Sequence, residues 1–235
     1  MRIEYIDGGF VEIIKNKIVE KVVCNYNGIC TVYFNDKDKP PKELNVGCSS
    51  YNRPYGIPIS DDGSKLFIGS WERKLDGIEK GLQAYDVSSG SVLWRFPEGK
   101  IRSIFVYSKY LIVLKDGAGI FKLDIGDGAV LGQIKGTTIV HIFDLGFPYV
   151  YIDTNAMAGK QSILDVEKML VIKKNNKKMV NPSNSLSVVI QNVTLQGNIL
   201  TISGVEEVQF SRKWSEANHK HFDRIIDTDF CGSVS

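Results

Sequence analysis

Residues 82–97 and 120–135 carry one pattern twice, 38 residues apart from Tyr85 to Leu123. In the first copy Tyr85-Asp86-Val87 leads into Ser88-Ser89-Gly90 and then Val92-Leu93. In the second, Leu123-Asp124-Ile125 leads into Gly126-Asp127-Gly128 and Val130-Leu131. Alternating apolar residues on both sides of a glycine turn mark an antiparallel hairpin. Ile104 and Ile142 repeat the same 38-residue step, so more than one hairpin recurs.

A unit of roughly 40 residues cannot bury its own faces and must stack on its neighbours, which points to β-propeller blades. Three units read clearly. The first has strands at Tyr55–Ile59, Lys65–Gly69, Gly81–Asp86 and Val92–Phe96; the second at Ile101–Val106, Tyr110–Leu114, Ile120–Leu123 and Val130–Ile134. The third has them at Thr138–Phe143, Tyr149–Ile152, Ser162–Asp165 and Met169–Lys173. The N-terminal strands at Arg2–Ile6, Phe10–Ile14, Lys17–Val23, Ile29–Phe34 and Glu43–Val46 are too close together for two blades and are expected to form one. Leu186–Ile190, Val193–Leu195 and Ile199–Ile202 make a last one, with Val205–Phe210 expected to join the N-terminal strands and close the ring. The expectation is mainly β: a small propeller of about five four-stranded antiparallel blades over residues 1–210. Trp214, Ala217, His221 and Ile225 fall near helical spacing, so residues 211–235 are expected to form a short helix and a tail packed on the propeller.

The 29 basic and 27 acidic side chains leave a net charge of +2, too weak a field to point to nucleic acid. No apolar stretch approaches the roughly 18 residues of a membrane-spanning helix. Charged residues Arg2, Glu4 and Asp7 stand where an export signal needs apolar ones, and this predicts a cytoplasmic protein. Cys24, Cys30, Cys48 and Cys231 are too scattered for a disulfide framework and are expected as buried reduced thiols.

Leu82-Gln83-Ala84-Tyr85-Asp86-Val87-Ser88-Ser89-Gly90-Ser91-Val92-Leu93-Trp94 resembles the repeat of pyrroloquinoline-quinone-type propellers, an apolar strand ending in Asp, a Ser-Gly turn and a Leu-Trp strand. Ser60-Asp61-Asp62-Gly63 resembles the turn common in other propellers, including WD-like repeats. The resemblance implies the fold alone. Leu131-Gly132 stands where the repeat has Leu93-Trp94, and the chain is about half as long as the quinone-dependent members, so no cofactor is carried over.

Chemistry-bearing residues are sparse. No Gly-x-Ser-x-Gly, no Ser/His/Asp order and no His-Glu-x-x-His occurs, so no catalytic residue and no metal site is expected. His219 and His221 lack a third ligand beside Lys220 and Arg224. Asp36-Lys37-Asp38-Lys39 opens like a calcium loop, but Pro40 and Pro41 take the place of the next oxygen ligand and the glycine. The basic run Lys173-Lys174-Asn175-Asn176-Lys177-Lys178 reads as a solvated loop.

Loop lengths say more. From mid-strand to the terminal Asp the chain takes 18 steps from Ile68 to Asp86, 11 from Val113 to Asp124 and 14 from Tyr151 to Asp165. Insertions therefore enlarge one end of the blades selectively, and long loops are where function concentrates. That end is expected to carry Trp71, Arg73, Asp76, Glu79, Glu98, Lys100, Asp116, Asn155 and Met157, with aromatic and Arg anchors inside a charged rim, as protein interfaces require. The expected function is non-enzymatic protein binding. In outline the chain also resembles bacterial toxin-neutralising immunity proteins, which implies a toxin domain as partner, with Asp76, Glu79, Glu98 and Asp116 opposing a basic surface. The alternative is a small-ligand binder or enzyme using a central channel near Ser103 and His141.

Overall fold

The computed structural model describes residues 2–6, 9–13, 16–25, 28–45, 57–69, 81–97, 99–136, 141–153, 161–175, 187–197, 199–209 and 218–227. Among these residues every regular element is a strand, and all strand pairs are antiparallel. The chain divides into two compact units, Met1–Lys135 and Gly136–Ser235. The boundary expected at 210 falls at the start of 210–217, outside the described residues.

The first unit holds three sheets. Strands β1 (Arg2–Ile6), β2 (Gly9–Ile13), β3 (Val19–Asn25), β4 (Ile29–Phe34) and β5 (Lys42–Asn45) form one five-stranded meander, so the crowded N-terminal strands make one sheet rather than two. Strands β6 (Lys65–Gly69), β7 (Leu82–Asp86) and β8 (Val92–Phe96) form the second. Strands β9 (Ile101–Tyr107), β10 (Tyr110–Lys115), β11 (Gly119–Asp124) and β12 (Val130–Lys135) form the third. The expected strand at Tyr55–Ile59 reduces, over its described part, to a bridge between Ile59 and Leu66, with the Phe67 amide donating to the Pro58 carbonyl.

Period-two alternation explains how these sheets stack. Leu66 and Ile68 of β6 face Val22, Val32 and Leu44 of the first sheet, while Phe67 between them faces Trp94, Ile104, Leu111 and Val113 toward the third. A central strand covered on both faces is buried at every position, as in Leu82-Gln83-Ala84-Tyr85, where Gln83 is the one fully polar side chain among apolar neighbours. The Tyr85 hydroxyl donates to the Asn45 carbonyl at 3.3 Å and so finds a partner across the sheet interface.

The second unit holds strands β13 (His141–Asp144), β14 (Tyr149–Asp153), β15 (Gln161–Asp165) and β16 (Leu170–Asn175) in one sheet, and β17 (Ser187–Gln196), β18 (Ile199–Gln209) and β19 (Asn218–Asp227) in another. Tyr151, Ile190, Val193, Leu200 and Ile202 form one buried cluster that joins these two sheets, and Ile142, Val150 and Leu164 are buried as well.

Two expectations are corrected here. Asn218–Asp227 is a strand and not the C-terminal helix expected for 211–235. His221 and Ile225 lie four apart, a spacing that shares one face of a strand as well as of a helix, and both are exposed on β19, whose ladder to β18 settles the choice. Val205–Gln209 does not join the N-terminal strands. It continues β18, with β17 hydrogen-bonded on one side and β19 on the other.

The cysteines bring a third correction. Cys24 and Cys30 are directly opposed across β3 and β4, wholly buried, and joined as a disulfide rather than held as reduced thiols.

One turn design recurs in three sheets. The Asp86 carboxylate accepts from the Ser89 amide (2.6 Å) and hydroxyl (2.8 Å). Asp124 accepts from the Gly126 amide (2.7 Å), and Asp165 from the amides of Glu167 and Lys168 (2.9 Å each). Four residues after each Asp the backbone turns left-handed: φ is 74° at Gly90, 75° at Gly128 and 52° at Met169. Methionine at such a φ costs roughly 1–2 kcal/mol relative to a relaxed backbone. Met169→Gly is therefore expected to raise the unfolding free energy by about 1 kcal/mol, read as a higher urea midpoint.

A related turn precedes β6. Asp62 accepts from the Ser60 hydroxyl (2.5 Å) and from the Ser64 amide (3.0 Å) and hydroxyl (2.8 Å). These bonds, that from Ser60 first, hold its carboxyl down at about 2, against an ordinary value of 3.8. Asp86 is lowered too, chiefly by the Ser89 amide. A folded-state value below the unfolded one gives stability that is whole above about pH 4 and is lost as pH falls toward 2. Asp62→Asn is expected to cost about 1 kcal/mol at neutral pH. Its deficit against the parent should close between pH 4 and 2 in a pH series of urea melts.

Candidate functional site

The end of the first unit that carries the lengthened connections is built on the start of β9. The β10–β11 turn, Asp116-Gly117-Ala118, and the β8–β9 connection meet there, because both leave their sheets at the same end. The Asp116 amide donates to the Lys100 carbonyl at 2.8 Å, and the Asp116 carboxylate accepts from Arg102 Nε at 2.8 Å in a half-buried ion pair. Lys115 reaches back to donate to the Pro97 carbonyl at 3.3 Å, with its ammonium 5.4 Å from the centre of the Phe96 ring. Gln133 of β12 donates to the Ala118 carbonyl at 3.3 Å. The turn is thus fixed from three sides, while its tip at Gly117 faces open space.

Two of the expected residues, Lys100 and Asp116, are therefore brought together. Asp116 is not a free acidic anchor, because Arg102 takes its carboxylate. Arg102 was not anticipated: its partner lies 14 residues away and is identified only by the β9–β10 register, in which Ile101 opposes Lys115. With Arg102 and Asp116 neutralising each other, Lys100 and Lys115 leave the described part of this end basic.

Trp71, Arg73, Asp76 and Glu79 belong to 70–80, and Glu98, Asn155 and Met157 are likewise outside the described residues. The stems of 70–80 are well placed. A Cβ on Gly69 would sit 2.7 Å from Ile101 Cβ, and one on Gly81, where φ is 62°, would sit 2.5 Å from the Pro97 carbonyl oxygen. One stem therefore presses on the first residue of β9, next to Lys100, and the other on the β8–β9 connection. In the second unit the corresponding connection, 154–160, joins Asp153 of β14 to Gln161 of β15.

Of the residues proposed for a channel, Ser103 lies buried in β9 opposite Leu114, in the first unit. His141 opens β13 opposite Asp153, in the second. Among the described residues no group of three His, Cys, Asp or Glu is placed to hold a metal ion, and no helix is long and apolar enough to cross a membrane.

At the opposite end of the second and third sheets lie the Asp turns of β7–β8 and β11–β12 and the short β9–β10 turn at Ser108-Lys109; the β4–β5 connection of the first sheet, residues 35–41, leaves on that side too, with Lys42 against Gly90. Antiparallel sheets stacked face to face, with the same Asp turn recurring between their last two strands, define a protein of the β-propeller class. Solved structures agree on the fold. The β-propeller domain of Cps50 (Swd1) from Myceliophteria thermophila matches with a TM-score of 0.57 at 10% identity, covering 92% of this chain and 70% of that one. BamB from Moraxella catarrhalis matches at 0.53 and 17% identity, covering 93% and 59%. The computationally designed protein Ika8 matches at 0.54 and 13% identity, covering 86% and 54%. The chain thus spans between half and two thirds of the length of the latter two. No protein-family profile and no curated protein matches the sequence.

Proposed function

We propose that this chain is a non-enzymatic, protein-binding propeller whose working face is the end carrying residues 70–80, Lys100, Arg102 and Asp116. The observation behind the reading is the contrast between the two ends. In the second and third sheets one end repeats the same short Asp turns; the other carries the longest connection, residues 70–80, beside a rigid, charged base at the start of β9. Binding residues on connections held by a stiff sheet are the usual way a scaffold presents a recognition surface. The aromatic and Arg content of 70–80 suits an interface anchor. In this reading the partner is a protein, with a toxin domain the specific candidate, the chain being an immunity protein of the cytoplasm. The excess positive charge of Lys100 and Lys115 shifts the expected complementarity: a partner seated there presents carboxylates to it, alongside any basic patch met by Asp76 and Glu79.

Arg73→Glu combined with Lys100→Glu is expected to weaken partner capture at least about tenfold. Lys109→Glu, on the opposite end, should leave it unchanged. Capture measured by affinity purification of the full chain that is equal in all three proteins rejects this face.

A further inference from the structure

The Cys24–Cys30 disulfide occupies a particular place in the first sheet. It is the last opposed pair of the β3–β4 ladder, and residues 25–29 close the hairpin beyond it. There the Gly28 amide donates to the Asn25 carbonyl at 3.4 Å and the Ile29 amide to Asn25 Oδ1 at 3.0 Å, with Gly28 at a left-handed φ of 83°. Strand β3 is pinned from its other side, since a Cβ on Gly9 would strike the Cys24 carbonyl oxygen. Both cysteines are wholly buried, in one cluster with Val22, Val32, Leu44, Leu66 and Ile68.

This hairpin end points the same way as the candidate site. Lys42 and Leu44 of β5 lie against Gly90, so the β4–β5 connection leaves the first sheet at the Asp-turn end. Strand β4 therefore begins at the other end, and the turn at 25–28 shares that end with 70–80 and 116–118. Two separate thiols need more room than one bonded pair, and a close-packed interior has little to give. Gly9 blocks movement toward β2, so the room is found by spreading the hairpin end. That disturbs the Asn25 turn and the pairing of Ile29 with Asn45, and it leaves the β3–β4 pairs from Val19 to Val23 in place. Local openings of this kind cost less than global unfolding and give a reductant its access.

We propose that Cys24 and Cys30 form a thiol–disulfide exchange site that sets the rigidity of the 25–28 turn and, through it, of the partner-binding end; this rests on the cytoplasmic, partner-binding reading above. In a cytoplasm, thiol reductants make a disulfide transient, and those that occur there are usually catalytic or redox-sensing. The reductant is a cellular thiol. Its thiolate attacks one sulfur of the pair, the other cysteine leaves as a thiolate and takes up a proton, and a second reductant thiol resolves the mixed disulfide. The chain then carries two thiols, and the two reductant thiols end as one disulfide, having supplied both electrons. Oxidised, the cross-link holds the turn in its binding-ready form; reduced, the turn opens more often.

The test holds the full chain in glutathione mixtures running from reduced to oxidised and reads the pair by differential alkylation and peptide mass, which separates it from Cys48 and Cys231. The pair is expected to pass reversibly between dithiol and disulfide inside that range while the chain stays folded. The oxidised chain should melt roughly 5 °C higher. Deuterium exchange at the Gly28 and Ile29 amides should quicken about tenfold on reduction, while the Ala118 amide, on the β10–β11 turn, keeps its rate. Cys24→Ala plus Cys30→Ala should match the reduced chain in every mixture, and partner capture should fall about threefold on reduction. A pair fixed in either state throughout, exchange at 28 and 29 blind to the mixture, reduction that unfolds the chain, or equal capture in both states would each overturn the proposal. The thiol and amide readings need no partner: if they hold and nothing is captured in either state, the exchange site stands and the partner-binding reading fails.

Discussion

Gly128→Ala is expected to lower the unfolding free energy by about 3 kcal/mol, from two sources that can be separated. A left-handed backbone, with φ at 75°, costs an alanine roughly 1 kcal/mol. The new methyl would then sit 2.6 Å from Cε3 and 2.8 Å from Cδ2 of Trp94, a ring only 9% exposed and held 5.9 Å from the Phe67 ring. Overpacking of this kind adds roughly 1–3 kcal/mol, since the indole has nowhere to withdraw. Gly117→Ala supplies the comparison: φ is 69° there, and nothing lies within 4 Å of the added Cβ, so only the backbone share of about 1 kcal/mol should appear. Guanidinium midpoints followed by far-UV circular dichroism read both. Equal losses at the two glycines would mean that the Trp94–Gly128 contact is looser than described.

Trp94→Ala removes the other half of the same contact and should cost about 4 kcal/mol, the usual range for deleting a buried tryptophan. The ring joins the second sheet to the third: it faces Phe67, covers Gly128 and donates to the Ile125 carbonyl. For a chain of this size that loss corresponds to a melting shift of roughly 8–16 °C. Combining Trp94→Ala with Gly128→Ala should cost less than the sum of the two by about 1–2 kcal/mol, because the methyl no longer meets a ring. Strict additivity would place the two residues out of contact.

Local pattern made much of this fold legible. Lys65–Gly69 and Val92–Phe96 could be bounded to the residue, because alternating apolar positions end at Asp and glycine turns whose side-chain chemistry fixes them. What depends on register stayed hidden. The Arg102–Asp116 pair, the bulges at Leu93, Leu131 and Ile172, and the seating of Trp94 on Gly128 all require knowing which residues are opposed across strands or sheets. The Cys24–Cys30 disulfide was within reach, since the two residues lie six apart across a hairpin centred near Gly28. At β19 the four-residue spacing of His221 and Ile225 fits either period, and only the long β18 ladder distinguishes them. For the candidate site, loop lengths pointed to one end of the blades, and the described geometry adds that this end stands on a basic, rigid base.

Native mass spectrometry of the full chain isolated from its own cells tests the functional reading most directly. The account predicts a complex heavier than the 26.3 kDa chain by a stoichiometric protein, lost when Arg73 and Lys100 are both changed to Glu. A bare chain in both preparations, or a chain carrying only a small molecule, would contradict it.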